Sequence, residues 1–325
     1  MTKIDLITGM LGAGKTTFIR QYAKYLMDTG CRIAILENDF GAVNVDMMLL
    51  QDLKSPQCQL EMISGGGGSD CHKRRFKTQL IALGMQHFDR IIIEPSGIYD
   101  MDEFFDTLFE SPLDRWFEIG SILTILDAET AETLSPAMEF LFASEAACCG
   151  KVLVSKLPPH ADISACCERL AAHLNRALSA ISCRRQFSAE HDFLAKPWDT
   201  LSSDDMAQLA DAGYRSESYV KLFNNETIGQ KVHYFLHVHL PDADRQPTLE
   251  AILHDTARGS IFRIKGSLQD DNGQWLKINI TRQKTEIAPV ADGQAVLIVI
   301  GEHLDLEQLN RRMLAVNTDS DFASI

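Results

Sequence analysis

The segment Gly9-Met10-Leu11-Gly12-Ala13-Gly14-Lys15-Thr16-Thr17 constrains this chain more than any other feature. It satisfies G-x-x-x-x-G-K-[ST], a pattern that carries weight only between a strand and a helix. Both flanks read that way. Residues 3–8 alternate apolar and polar, and Phe18, Ile19, Tyr22 and Leu26 fall on one face of a helix over Lys15–Met27. Such a loop turns backbone N–H groups onto a phosphate, adds the positive end of a helix dipole, and supplies a lysine as a point charge. Gly12, Ala13, Gly14, Lys15, Thr16 and Thr17 are therefore the expected phosphate-binding residues, with Thr16 a ligand for Mg²⁺. Nucleoside triphosphatases and kinases share this loop, so it names a ligand and not a reaction.

Further short apolar runs follow: Arg32–Leu36 ending in Glu37-Asn38-Asp39, Arg90–Ile93 ending in Glu94-Pro95-Ser96-Gly97, then Ile119–Asp127 and Lys151–Ser155. Helical stretches separate them. This predicts an α/β fold, a P-loop-type parallel sheet with helices on both faces and polar residues at the strand ends where ligands sit. Glu94 holds the acidic position expected to reach Mg²⁺, and Gly97 offers a backbone N–H near a γ-phosphate. Asp39 and Asp46 are candidates to orient the attacking water, by position alone. Solvated loop acids remain the alternative for Glu94 and Asp46.

After about residue 185 the pattern changes. Residues 186–227 read as a linker with a helix around Ser203–Ala212. From residue 228 the chain reads as a smaller α+β domain: strands over Val232–Leu240, Ile261–Ser267, Trp275–Thr281 and Ala295–Ile300, helices over Thr248–Thr256 and Leu306–Leu314. A length of 325 residues accords with two domains, 1–185 and 228–325. Net charge is −14, which disfavours nucleic acid and anionic lipid as general partners. No apolar run approaches a membrane span, no signal-peptide core is visible, and eight cysteines are too sparse for a disulfide scaffold. The expectation is a cytoplasmic protein.

Thr8 to Thr17, Glu37 to Gly41 (ENDFG) and Ile91 to Gly97 (IIIEPSG) together resemble the CobW-type GTPases, relatives of the nickel chaperones UreG and HypB. Arg263 to Gly266, Trp275 and Ile298 to Gly301 resemble that family's second domain. The resemblance implies GTP hydrolysis with Mg²⁺, coupled to delivery of a metal to a client protein or cofactor. The chain departs from the family twice. Where the family carries Cys-x-Cys-Cys, this sequence reads Ser64-Gly65-Gly66-Gly67-Gly68-Ser69-Asp70-Cys71-His72. Cys71, His72 and Glu37 are then the candidate ligands for Zn²⁺ or another transition metal.

The family's Asn-Lys-x-Asp corresponds to Ser155-Lys156-Leu157-Pro158. Ser155 and Lys156 are expected to contact the base, but Pro158 cannot make the bidentate pair with guanine, a loss of about 1–3 kcal/mol in selectivity. GTP and ATP both stay open. So does a nucleotide-gated binding protein with negligible turnover, and a small-molecule kinase.

Three smaller signals have ordinary explanations. Alternation puts His233, His237 and His239 on one strand face, readable as a metal site or as a half-exposed sheet. Lys73, Arg74, Arg75 and Lys77 form a solvated helix face, or meet an acidic partner or the nucleotide of a second protomer in a homodimer. Cys148-Cys149 and Cys166-Cys167 read as buried small apolar residues.

Overall fold

The computed structural model describes residues 1–38, 50–63, 68–95, 101–223, 230–255, 259–281, 284–290 and 293–324; the side chains of 68–71 and 230–232 lie outside the description. The described residues form two compact units, 1–223 and 230–324.

The first unit is built on a seven-stranded parallel sheet: β1 (Thr2–Thr8), β2 (Ile33–Asn38), β3 (Cys58–Ile63), β4 (Arg90–Pro95), β5 (Phe117–Asp127), β6 (Lys151–Ser155) and β7 (Phe193–Ala195), in the order β3-β2-β4-β1-β5-β6-β7. Its near-continuous Ile, Leu and Val runs are what a sheet covered on both faces requires. On one face lies α1 (Lys15–Asp28), whose Phe18, Ile19 and Tyr22 are fully buried against Ile33, Ile35 and Ile92. Each such side chain contributes about 1.5–3 kcal/mol of burial. On the other face lie α2 (Gly68–Gly84), α3 (Met101–Leu108), the short α4 (Leu113–Trp116), α5 (Pro136–Ala147) and α6 (Ile163–Ala180). Capping side chains set the starts of α5 and α6: Ser135 accepts from the Met138 N–H and Asp162 from the Ala165 N–H.

The segment 186–227 is not a linker. Residues 193–195 form β7, paired with β6, and α7 (Ser203–Ala210) buries Met206 and Leu209 against the α1 face. A capping box between Ser202 and Asp205 starts α7. Lys196 donates to both Asp205 oxygens at 2.7 and 2.8 Å, and together with the Ser202 N–H holds that carboxyl down to about 2. The polar composition that suggested a linker is the exposed side of these elements, and β7 is too short to show periodicity.

A buried polar cluster also fastens this segment. Arg90 Nη1 donates to Asp5 Oδ1 and Oδ2 at 2.8 and 2.7 Å, and to the carbonyl of Ala210, the last residue of α7, at 3.0 Å. Tyr22 donates to Asp5 Oδ2 at 2.9 Å and the Ser121 N–H to Asp5 Oδ1 at 2.8 Å. The charges are thus paired and hydrogen-bonded, the condition under which buried ions persist.

The second unit is a six-stranded sheet in the order β11-β10-β9-β12-β8-β13: β8 (Gln230–Leu236), β9 (Ser260–Gln269), β10 (Trp275–Thr281), β11 (Thr285–Pro289), β12 (Val296–Glu302) and β13 (Ala323–Ser324). All its strand pairs are antiparallel. Helices α8 (Asp242–His254) and α9 (Leu306–Leu314) bury Leu249, Ile252, Leu309 and Met313 against it.

The strand expected over Val232–Leu240 stops at Leu236, and His237 has a φ of 54°, outside strand geometry. His233 Nε2 pairs with Asn310 Oδ1 at 2.6 Å and His239 Nδ1 with Thr318 Oγ1 at 2.6 Å, so these histidines form no common metal face. Cys148, Cys149 and Cys167 are buried, whereas Cys166 is only half-buried. No helix among the described residues is long and apolar enough to cross a membrane.

Candidate functional site

The site forms at the carboxyl ends of the central strands. β1 runs into Gly9, whose φ is 132° and whose missing side chain matters: a Cβ there would stand 2.3 Å from the Ile125 carbonyl oxygen. Gly14, at φ 102°, is the N-cap of α1 and brings no side chain to cap it. The first turn of α1 also lacks acidic residues. The helix start therefore presents its N–H groups to an anion without an internal competitor.

Lys15 is buried, and its Nζ donates to the Gly9 carbonyl at 2.7 Å, which holds the ammonium inside the loop. Thr16 Oγ1 donates to Glu94 Oε1 at 3.0 Å, and both residues are buried. Glu94 is thus part of the loop's base and not a solvated acid. Glu37 is the register partner of Glu94 on the neighbouring strand and is buried with it. Alternation along β2 puts Glu37 with Ile33 and Ile35, the same side as α1, so two carboxyls stand on strands about 4.8 Å apart beside Thr16. Asn38 points the other way, and its buried amide has no hydrogen-bond partner among the described residues.

His72 is buried on the α2 face that carries Phe76 and Leu80, against the sheet face opposite Glu37. Burial, then the nearby Arg75 charge, pushes its imidazole below the usual value. Among the described residues no three His, Cys, Asp or Glu side chains converge as a metal-holding group. Glu37 and His72 belong to opposite faces of the sheet, and the Cys71 side chain lies outside the described set. Asp39, Asp46 and Gly97 also lie outside the described residues.

At the other end of the loop, Ser155 closes β6. Its Cβ and the Trp198 Nε1 are each 3.7 Å from where a Gly14 Cβ would stand, so both flank the start of α1. Ser155 Oγ donates to the Leu126 carbonyl at 3.2 Å. Lys156 has a φ of 53° and pairs its ammonium with Asp127 at 2.5 Å. Trp198 packs on Phe18 with ring centroids 5.5 Å apart.

Two residues here escaped sequence reasoning. Trp198 falls in the supposed linker, where the Lys196-Pro197 turn before it was the only signal. Glu145 on α5 had none. It is fully buried, its carboxyl raised to about 8 by burial even though the nearby Lys15 charge lowers it.

Comparison with known proteins adds three findings. A family model described as CobW/HypB/UreG, nucleotide-binding domain, matches residues 3–187. Two Escherichia coli K12 proteins are similar: zinc chaperone YjiA, 28% identical over 176 residues (52% of this chain, 53% of the relative), and zinc chaperone YeiR, 34% identical over 128 residues (39% and 38%). The matches thus span about half of those relatives' own length or less. The solved structure of Zn(II)-bound YjiA GTPase from E. coli superposes over 98% of this chain and 99% of that one, with 17% identity and a TM-score of 0.36.

Proposed function

Because the chain belongs to the CobW/HypB/UreG nucleotide-binding family, we propose that it binds GTP with Mg²⁺, hydrolyses it slowly to GDP and phosphate, and couples that cycle to delivery of a metal to a client protein. The observation that carries this reading is the buried Thr16–Glu94 hydrogen bond of 3.0 Å at the foot of the phosphate loop. A hydroxyl and a carboxylate are the hard oxygen donors that Mg²⁺ prefers, so the residues present fit that ion.

In this reading Lys15 and the N–H groups of Gly12 to Thr17 hold the phosphates, while Thr16 and Glu94 hold Mg²⁺, which when bound neutralises charge on the phosphate oxygens. Asp39 or Asp46 orients water and the Gly97 N–H meets the γ-phosphate. Ser155 and Lys156 border the base. The second unit, from about residue 228, is the family's C-terminal domain. The zinc named in the relatives' descriptions supports Zn²⁺ as cargo, with Cys71 its candidate ligand.

Steady phosphate release by the purified chain tests the proposal. Turnover of about 10⁻⁴ to 10⁻² s⁻¹ with GTP, lost without Mg²⁺, is the expected result. Tight nucleotide binding without release would replace it with a nucleotide-gated binding protein. A specific observation favours running ATP in parallel: Pro158 has no side-chain acceptor for guanine, and Lys156 is engaged by Asp127. GTP preference is expected to fall short of that of a guanine-reading aspartate by roughly 10-fold or more. For the cargo, Zn²⁺, Co²⁺ and Ni²⁺ titrations with and without GTP should show one site weakened in Cys71→Ala. Equal stoichiometry and affinity in both proteins removes Cys71 from the metal site.

A further inference from the structure

Glu145 stands behind the phosphate loop, on the face of the sheet away from α1, with 1% of its surface exposed. The last turn of α5 delivers it there. The Thr8 and Thr124 hydroxyls lie 2.7 Å apart, each 3.0 Å from the Glu145 carbonyl oxygen, which accepts from them. This pins α5 to the ends of β1 and β5, the strands on either side of the loop's origin. Neither carboxyl oxygen of Glu145 has a hydrogen-bond partner among the described residues. The groups acting on it are the Lys15 ammonium and the Gly9 N–H, which approaches without closing a hydrogen bond.

The other charged groups around α5 are engaged elsewhere. From α6, His173 Nε2 sits on Glu139 at 2.9 Å, and Arg169 donates to the Thr130 and Ala128 carbonyls. Past the end of α5, Arg185 donates to the Ala147 and Cys149 carbonyls, and burial pushes the Cys148 and Cys149 thiols up. β1 and β5 contribute only the two threonine hydroxyls at this level. Among the described residues Lys15 is the cation that acts on Glu145: its Nζ sits on the Gly9 carbonyl, one residue past the Thr8 that binds the Glu145 carbonyl.

We propose that Glu145 is a positioning residue for Lys15: as a neutral acid it leaves the ammonium to the nucleotide phosphates, and as a carboxylate it competes for that ammonium and opposes the anion. This rests on the nucleotide-binding reading above.

The carboxyl titrates at about 8 in the free protein. Phosphate charge beside it favours the neutral form, so nucleotide binding raises that value and takes up a proton. Affinity is then full below about pH 8 and falls as pH rises from there toward the higher value in the complex.

The test uses the full chain and GDP, whose phosphates do not titrate further above pH 7.5, with ADP in parallel. Wild-type affinity should fall about sixfold between pH 7.5 and 9.5, as follows if the bound nucleotide lifts the Glu145 titration by about one pH unit. Glu145→Gln, permanently neutral, should keep the wild-type value of pH 7.5 across the range. Calorimetry at pH 8.5 in buffers of different ionisation enthalpy should show proton uptake on binding by wild type and none by Glu145→Gln.

Parallel pH profiles, or no uptake by wild type, would overturn the assignment while leaving nucleotide binding intact. So would a folded Glu145→Gln that binds neither nucleotide. Absence of binding by wild type at every pH sinks the nucleotide reading itself, and this proposal with it. If Glu145→Gln fails to fold, the wild-type uptake measurement decides alone.

Discussion

Lys15→Ala should lower nucleotide affinity by about 100-fold or more while leaving the fold unchanged. A charge-assisted hydrogen bond contributes roughly 1.5–3 kcal/mol, and more than one phosphate oxygen is within the reach of a lysine at this position. The fold is spared because the Lys15 ammonium makes its hydrogen bond to the Gly9 carbonyl, an atom of a loop that water can serve once the side chain is gone. Removing the ammonium also takes away the cation that lowers Glu145, so that carboxyl becomes more firmly neutral and adds no buried charge. Titration with GDP and GTP, beside a circular dichroism spectrum, checks both halves. Retention of wild-type affinity by Lys15→Ala would refute the central assignment.

The largest effect on stability should come from Arg90→Met. Asp5 is fully buried, and Arg90 is its cation. Removing the guanidinium leaves a carboxylate with no counter-charge in the interior and leaves the Ala210 carbonyl with the Ser121 hydroxyl as its side-chain donor, a change that costs about 3–5 kcal/mol. Even the backbone is fitted to this acid: a Cβ on Gly120 would stand 2.4 Å from Asp5 Oδ1.

The charge explanation makes a second requirement. Asp5→Asn in the Arg90→Met background should recover part of the loss, because the amide oxygen still accepts from the Ser121 N–H and the amide NH2 donates to the Tyr22 hydroxyl, without a charge. Urea unfolding followed by Trp116 and Trp198, both in the first unit, gives the four midpoints of the cycle. If Arg90→Met falls within 1 kcal/mol of wild type, roughly the scatter of a surface substitution, the pair does not hold the unit together.

Some features were legible because their signal is local. The phosphate loop needs glycine at positive φ and a lysine at a fixed offset, and the strand and helix beside it each show their own period within a dozen residues. The helix expected around Ser203–Ala212 forms as α7, started by the capping box between Ser202 and Asp205. Its place in the first unit was not legible, since the polar side chains between residues 186 and 227 look alike whether they cover a sheet or span a gap. β8 misled for a related reason. The alternation of Val232–Leu240 continues past Leu236, but His237 takes a left-handed conformation that residue identity does not reveal.

The candidate site divides in the same way. Sequence alone determined the G-x-x-x-x-G-K-[ST] loop between β1 and α1 and the acid near the end of β4, together with the alternating order that makes the sheet parallel, because each of these is a requirement on a short stretch of backbone. Only the tertiary structure decided the rest. Glu37 stands beside Glu94, on the sheet face opposite the one that α2 and His72 cover, because strand pairing sets which face each side chain takes. Asp5 meets Arg90 across 85 residues of chain, and Glu145 is anchored to Thr8 across 137. At such separations neither spacing nor composition carries a signal. Burial next to a particular partner sets what these groups do, and that exists only once the sheet has closed its core.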